Sequence, residues 1–199
     1  VDIGKVAPNV VLTPNGNFPS SANFFIRGMG LFSSIPSDEP TVGIFTDGMY
    51  LGVNLGSNPD FFDLEAIEIL RGPQGTLFGR NVTGGAVLIR SRRPGDHFGF
   101  KARGTVGSEE RMDLSVAVDG PLTESGALLG KLAVMRKDRE GYWDNAAIPG
   151  DTIGELESLL VRPMLTYRPS ESFEATLITE FGDEQSDGLP VRSLPYAVD

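Results

Sequence analysis

Ile67-Glu68-Ile69-Leu70-Arg71-Gly72-Pro73-Gln74-Gly75-Thr76-Leu77-Phe78-Gly79-Arg80-Asn81-Val82-Thr83-Gly84-Gly85-Ala86-Val87-Leu88-Ile89 is the stretch on which the reading of this chain turns. Two apolar runs, 67–70 and 86–89, bracket a loop that holds five glycines. Such runs read as short strands, and Gly72, Gly75, Gly79, Gly84 and Gly85 as sites of positive φ or of close backbone approach. Pro73 fixes a turn, and Glu68 and Arg71 stand at a strand end. The loop is not a phosphate cradle, because Gly75 and Gly79 lack the Gly-Lys-Ser/Thr ending and its spacing.

Upstream, Phe24-Phe25-Ile26 runs into Arg27-Gly28-Met29-Gly30. Apolar β-formers at 42–46 and 49–51 flank Asp47-Gly48, a dipeptide that favours a two-residue hairpin turn. Residues 60–66 are expected to form one short helical turn with Asp60 as its cap. Together these features predict a small mixed α/β domain. Gly28-Met29-Gly30 lacks the rest of a dinucleotide fingerprint, and no Gly-x-Ser-x-Gly elbow occurs. The carboxylate pairs Asp38-Glu39 and Glu109-Glu110 read as solvated turns. No constellation of catalytic residues emerges.

The rhythm changes near Pro94-Gly95. Phe98, Phe100, Ala102, Gly104 and Val106 alternate with Lys101, Arg103 and Thr105. Met112, Leu114, Val116 and Val118 alternate with Asp113, Ser115 and Asp119. Further runs follow near 128–135, 156–167 and 173–181. Period two over about ten residues fits antiparallel strands with one apolar and one wet face. The turns at 120–126 and 168–172 are short, whereas 145–154 is longer. That asymmetry suits a transmembrane β-barrel, and Tyr142-Trp143 would suit an aromatic girdle. A soluble antiparallel sandwich alternates in the same way. The two differ in where the apolar face points, into a shared core or outward.

Composition narrows the functions. Net charge is −10, with 17 Lys+Arg against 27 Asp+Glu, so no basic face is available for nucleic acid. There is no Cys and a single histidine, His97, which removes disulfides, thiol nucleophiles and the usual zinc motifs. No resident metal and no cofactor are expected. No apolar run reaches the ~18 residues of a membrane helix. The first residues, Val1-Asp2-Ile3-Gly4, carry neither Met nor a basic, apolar leader, so the sequence reads as a piece of something longer.

The glycine-rich run, with Phe25-Ile26-Arg27-Gly28 and Asp47-Gly48-Met49-Tyr50-Leu51 before it, closely resembles the plug domain of TonB-dependent outer-membrane receptors. Gly120-Pro121-Leu122, Arg139-Glu140-Gly141-Tyr142-Trp143-Asp144-Asn145 and Tyr167-Arg168-Pro169-Ser170 are similar to turn and strand-end phrases of that family's barrel. The resemblance implies an α+β plug domain over 1–96, followed over 97–199 by about five strands of a transmembrane β-barrel. A plugged barrel of roughly 22 strands needs on the order of 220 residues in strands alone, so the chain is expected to be a fragment. It implies uptake of a scarce solute (siderophore, vitamin, haem or carbohydrate) across the outer membrane. The energy would come from the TonB–ExbB–ExbD complex, acting through a TonB box that is not visible here. The runner-up reading is a non-transporting binding module with a soluble sheet.

Three expectations about sites follow. Arg27, Glu68 and Arg71 are expected to form a cluster that seats the plug. Phe98, Phe100, Ala102 and Val106 should face lipid, with Lys101 and Arg103 turned to the lumen. The loops 29–36 and 52–59 are expected to face the substrate, with Phe32 stacking on it and Ser33, Ser34, Asn54, Ser57 and Asn58 offering neutral donors and acceptors.

Overall fold

The computed structural model describes residues 7–15, 18–31, 38–52, 62–145 and 148–187. Strands β1 (Val10–Asn15) and β2 (Phe18–Ile26) form an antiparallel hairpin. It packs without ladder pairing on a four-stranded sheet of order β4-β3-β6-β5. That sheet comprises β3 (Val42–Thr46), β4 (Met49–Leu51), β5 (Leu64–Arg71) and β6 (Gly85–Ser91). Strands β3 and β6 are parallel, and the other pairs antiparallel. Val10, Ala22, Phe24 and Ile26 of the hairpin bury against Val42, Ile44, Val87 and Ile89. On the opposite face Phe45, Val82 and Ala86 form a second core, with Phe78 packed against it.

The expected hairpin at 42–51 is present. Phe45 pairs with Tyr50 and Thr46 with Met49. Both turn residues take positive φ, 50° at Asp47 and 87° at Gly48, which matches the right-handed twist of the flanking strands. The Asp47 carboxylate then accepts from the Ser91 amide and hydroxyl, both at 2.8 Å, tying the turn to the end of β6. Gly85 has no room for a side chain, since a Cβ there would meet the Leu70 carbonyl oxygen at 2.3 Å. Gly72 and Gly79 take positive φ, and Gly84 lies against Met29. Gly75 does neither: it opens the four-residue helix α1 (Gly75–Phe78) in open space. Of the helical turn expected at 60–66, Asp60 and Phe61 lie outside the described residues, and 64–66 are corrected to β5, where pairing with β6 overrides their helical leaning.

A linker, 92–98, leads to the second sheet. Its strands are β7 (Gly99–Val106), β8 (Met112–Pro121), β9 (Leu128–Arg139), β12 (Leu156–Ser170), β13 (Phe173–Ile178) and β14 (Phe181–Ser186). All neighbours are antiparallel, in the order β7-β8-β9-β12, with β13 and β14 both paired to the far edge of β12. Met164 pairs with Ile178 and Val161 with Phe181, a single register. So β13 and β14 are one strand interrupted at 179–180. The interruption lies opposite Pro163, which accepts from the Thr179 amide at 3.2 Å and has no N–H to return. Beyond β9 and β12, the short pair β10 (Trp143–Asp144) and β11 (Thr152–Ile153) extends their hairpin.

The two faces of this sheet invert the usual order. Ser115, Ala117, Asp119, Lys131, Ala133, Arg162 and Thr166 are buried on the side toward the first domain. Phe100, Val106, Leu114, Leu132, Leu165, Leu177 and Phe181 are exposed on the other side. A soluble sandwich would bury the second set, so the exposed apolar face excludes a shared apolar core. It matches a membrane barrel, apolar outside and polar within.

Candidate functional site

The chemistry of the described residues concentrates where the first domain meets the inner face of the strands. Asp63 ends the segment before β5 at φ 57° and points at the sheet. Its carboxylate pairs with Lys131 of β9, with Arg92 Nε of the linker at 2.7 Å, and with Lys101 Nζ of β7 at 3.7 Å. Arg92 Nη2 reaches on to Asp119 of β8 at 2.5 Å. Asp63, Lys131 and Asp119 side chains are each only 1% exposed. The Asp119 carboxylate also accepts from the Gly95 amide at 2.8 Å, and Lys131 donates to the Arg92 carbonyl.

Burial alone would raise the Asp63 carboxyl. The hydrogen bonds and charges of Lys131 and Arg92 outweigh it and hold the group below the ordinary carboxylate range. Arg92 is raised by its hydrogen bond to Asp63, against the pull of desolvation, with Asp119 adding to the rise.

Beside these charges stands Phe62, fully buried against Ala117, Ala133 and Met135 of the strands. Lys101 and Arg103 lie over its ring, each 5.4 Å from the centroid, in reach of a cation–π attraction. Small alanines are what let the ring approach the wall. The linker adds outer contacts: Arg93 donates to Glu174 at 2.8 Å and to Thr176 at 3.1 Å, and Asp96 pairs with Arg168. Four linker residues, Arg92, Arg93, Gly95 and Asp96, thus touch β8, β9, β12 and β13. No group of three or more potential metal-ligating side chains occurs among the described residues.

The structure does not bring Arg27, Glu68 and Arg71 together among the described residues. Glu68 pairs with Arg90 on the sheet surface, Arg71 donates to the Pro8 carbonyl at 3.5 Å, and Arg27 is exposed on a turn. Lys101 and Arg103 do lie on the inner face, as expected, in register with Ala117 and Ser115. Phe98, Phe100 and Val106 are exposed on the outer one. Phe32, Ser33, Ser34, Asn54, Ser57 and Asn58 lie outside the described residues. Sequence reasoning missed Phe62, Asp63, Arg92, Asp119 and Lys131. The signal within reach was a charge at an inward strand position, Asp119 and Lys131, where the alternation demands a wet face.

A charge-lined, half-filled inner wall closed by a separate domain is the geometry of a plugged barrel. A family model described as the TonB-dependent receptor plug domain matches residues 2–86. Residues 2–86 are a plug domain of the TonB-dependent receptor kind. The chain's receptor relatives include the pesticin receptor of Yersinia pestis, 27% identical over 169 residues, covering 84% of this chain and 24% of that protein. The ferrioxamine B receptor of Salmonella typhimurium is 27% identical over 164 residues, 80% of this chain and 22% of the other. Among solved structures, the ferric yersiniabactin uptake receptor FyuA of Yersinia pestis superposes with a TM-score of 0.81 at 23% identity, over 92% of this chain and 28% of that one. The pyoverdine outer membrane receptor FpvA of Pseudomonas aeruginosa gives 0.70 at 19%, over 92% and 24%. The chain spans about a quarter of the length of the curated relatives it matches. It is a plug followed by the first strands of a barrel wall, the fold of outer-membrane proteins of Gram-negative bacteria.

Proposed function

We propose that the receptor takes up a ferric or other metal–siderophore complex across the outer membrane, using energy delivered by TonB, ExbB and ExbD. The observation that carries this reading is the inverted second sheet, apolar outside and charged within, closed from inside by a plug-family domain. Relatives named as receptors for ferrioxamine B, metal-pseudopaline and ferripyoverdine favour a chelated metal over a vitamin, haem or sugar as cargo. The plug spans 1–96 and the wall begins in the linker, so β7 enters the membrane from the periplasmic side. The turns at 122–127 and 171–172 are then periplasmic, and the β10–β11 extension reaches the exterior. Loops 29–36 and 52–59 of the plug face the cargo through Phe32, Ser33, Ser34, Asn54, Ser57 and Asn58. Arg27, Glu68 and Arg71, set apart on the plug, seat it separately against wall strands beyond those in this chain.

The full receptor, expressed in a host stripped of its own ferric-siderophore receptors, should restore growth under iron limitation on at least one of a panel of hydroxamate, catecholate and mixed siderophores. Deleting TonB from the host should abolish that growth. Failure on the whole panel, or growth that persists without TonB, refutes the reading. Phe32→Ala and Asn54→Ala variants that bind and import the same siderophore as well as wild type would remove those loops from the site.

A further inference from the structure

Proline is uncommon inside a sheet because it cannot donate to the ladder, and it is found at edges, strand ends and bulges. Among the described wall strands, Pro121 ends β8 and Pro169 stands one residue from the end of β12. Pro163 breaks that rule. It is the middle residue of β12 (Leu156–Ser170), with paired strands on both sides. Its cost falls on one side only. The Thr179 amide donates to the Pro163 carbonyl, so 163 and 179 face each other where an antiparallel ladder exchanges two bonds, and the return bond cannot form. Toward β9 the ladder asks no bond of residue 163, which lies opposite Leu132. Halfway along a membrane strand there is no water to replace the lost donor.

The side chains beside this gap supply what the backbone lacks. Val161 pairs with Phe181 and Met164 with Ile178, so Arg162 stands directly opposite Glu180. Arg162 donates from Nε and from Nη2 to Glu180 Oε2, each at 2.6 Å. Positions between two bonded pairs are where opposed side chains come closest, and a charge-assisted bond is about twice as strong as a neutral one. The Arg162 side chain is 6% exposed on the inner face, and its neighbour on β9, Ala133, offers it no acceptor.

We propose that Arg162 and Glu180 form a stitch that closes the wall where Pro163 takes a bond out of the ladder, holding the junction of β13 and β14 in register on β12. The proposal goes beyond the uptake reading, since it concerns the wall in every state of the receptor and holds for any cargo. It makes the pair and the proline interdependent: restoring the backbone donor should make the ion pair dispensable.

The test is hydrogen exchange on the full receptor in lipid nanodiscs, read at the Thr179 and Phe181 amides. Arg162→Ala/Glu180→Ala removes both charges together, so no lone ion is left behind. Exchange at those two amides should rise about tenfold or more in that variant. Pro163→Ala returns the missing N–H. With it in place, the same double substitution should change exchange by no more than about threefold. A rise of equal size in both backgrounds overturns the stitch, because the pair would then act without reference to the proline. An unchanged rate in the double variant with Pro163 retained overturns it as well. If the double variant does not assemble, seen as loss of heat-modifiable migration, assembly becomes the readout. Recovery on adding Pro163→Ala then supports the stitch, and failure in both backgrounds overturns it. Siderophore import enters none of these outcomes, so a failed uptake reading is told apart from a failed stitch.

Discussion

Asp63→Asn is the perturbation that bears most directly on the seam between plug and wall. It removes the one carboxylate on which Lys131, Arg92 and Lys101 converge. Asp63 and Lys131 are each 1% exposed, so solvent cannot take over the lost contact. Deleting one member of a buried pair costs ~3–5 kcal/mol. Lys101 is about half exposed, at 46%, and adds only the ~0–1 kcal/mol of a surface pair. Arg92 keeps Asp119, and Lys131 keeps the Arg92 carbonyl, which places the loss toward the low end, about 3 kcal/mol. At 1.4 kcal/mol per tenfold, the seam should open on the order of a hundred times more often. Hydrogen exchange of the full receptor reads this at the Arg92 amide, which donates to the Asp63 carbonyl at 3.1 Å, and in the peptides around it. Lys131→Met added to Asp63→Asn should recover part of the protection, because it removes the stranded ammonium. Exchange within about threefold of wild type in the single variant would refute a buried, energetically closed seam.

Three further outcomes follow from other parts of the structure. Holding the Asp63 carboxyl low stabilises the folded seam above the ordinary carboxylate pKa of about 3.9; that contribution should fade as pH falls through and below this value, seen as acid-triggered exchange around 62–71 that Asp63→Asn does not show. Nitroxides at positions 100 and 101 should differ sharply, the first reached by a lipid-soluble quencher and the second not, since Phe100 is 66% exposed on the apolar face while Lys101 lies toward Asp63; the reverse pattern sinks the face assignment. Gly48→Ala should destabilise the β3–β4 hairpin by about 1–2 kcal/mol through its 87° φ alone, because nothing lies within 4 Å of the added methyl; denaturation that is unchanged by the substitution would contradict the turn.

Local signals carried the parts of the fold that are local. The Asp47-Gly48 turn, the crowding at Gly85 and the alternation of strands 98–181 need only neighbours in sequence, and each was legible. The ends of elements were less so. Leu64, Glu65 and Ala66 suit a helix in isolation and become strand because β6 offers a partner. The seam was hidden for a stronger reason. Asp63 meets Lys131 only once the registers of β8 and β9 and the path of the linker are all set. Arg27, Glu68 and Arg71 were drawn together by their common placement at strand ends. Their side chains instead find Arg90, a carbonyl and solvent, because Arg27 leaves the separate hairpin, Glu68 lies inside β5 and only Arg71 ends it.

Pro163 gives the wall a perforation. In an antiparallel ladder every second opposed pair exchanges two bonds, but here Thr179 donates to Pro163 and receives nothing back from the ring nitrogen. The lengths on either side, Phe173–Ile178 and Phe181–Ser186, are therefore secured separately, like two panels on one post. Strain reaching the upper panel need not travel into the lower one. Thinning of the surrounding bilayer, or a strand added against this edge, can tilt the outer half of the fifth strand while its inner half keeps its place.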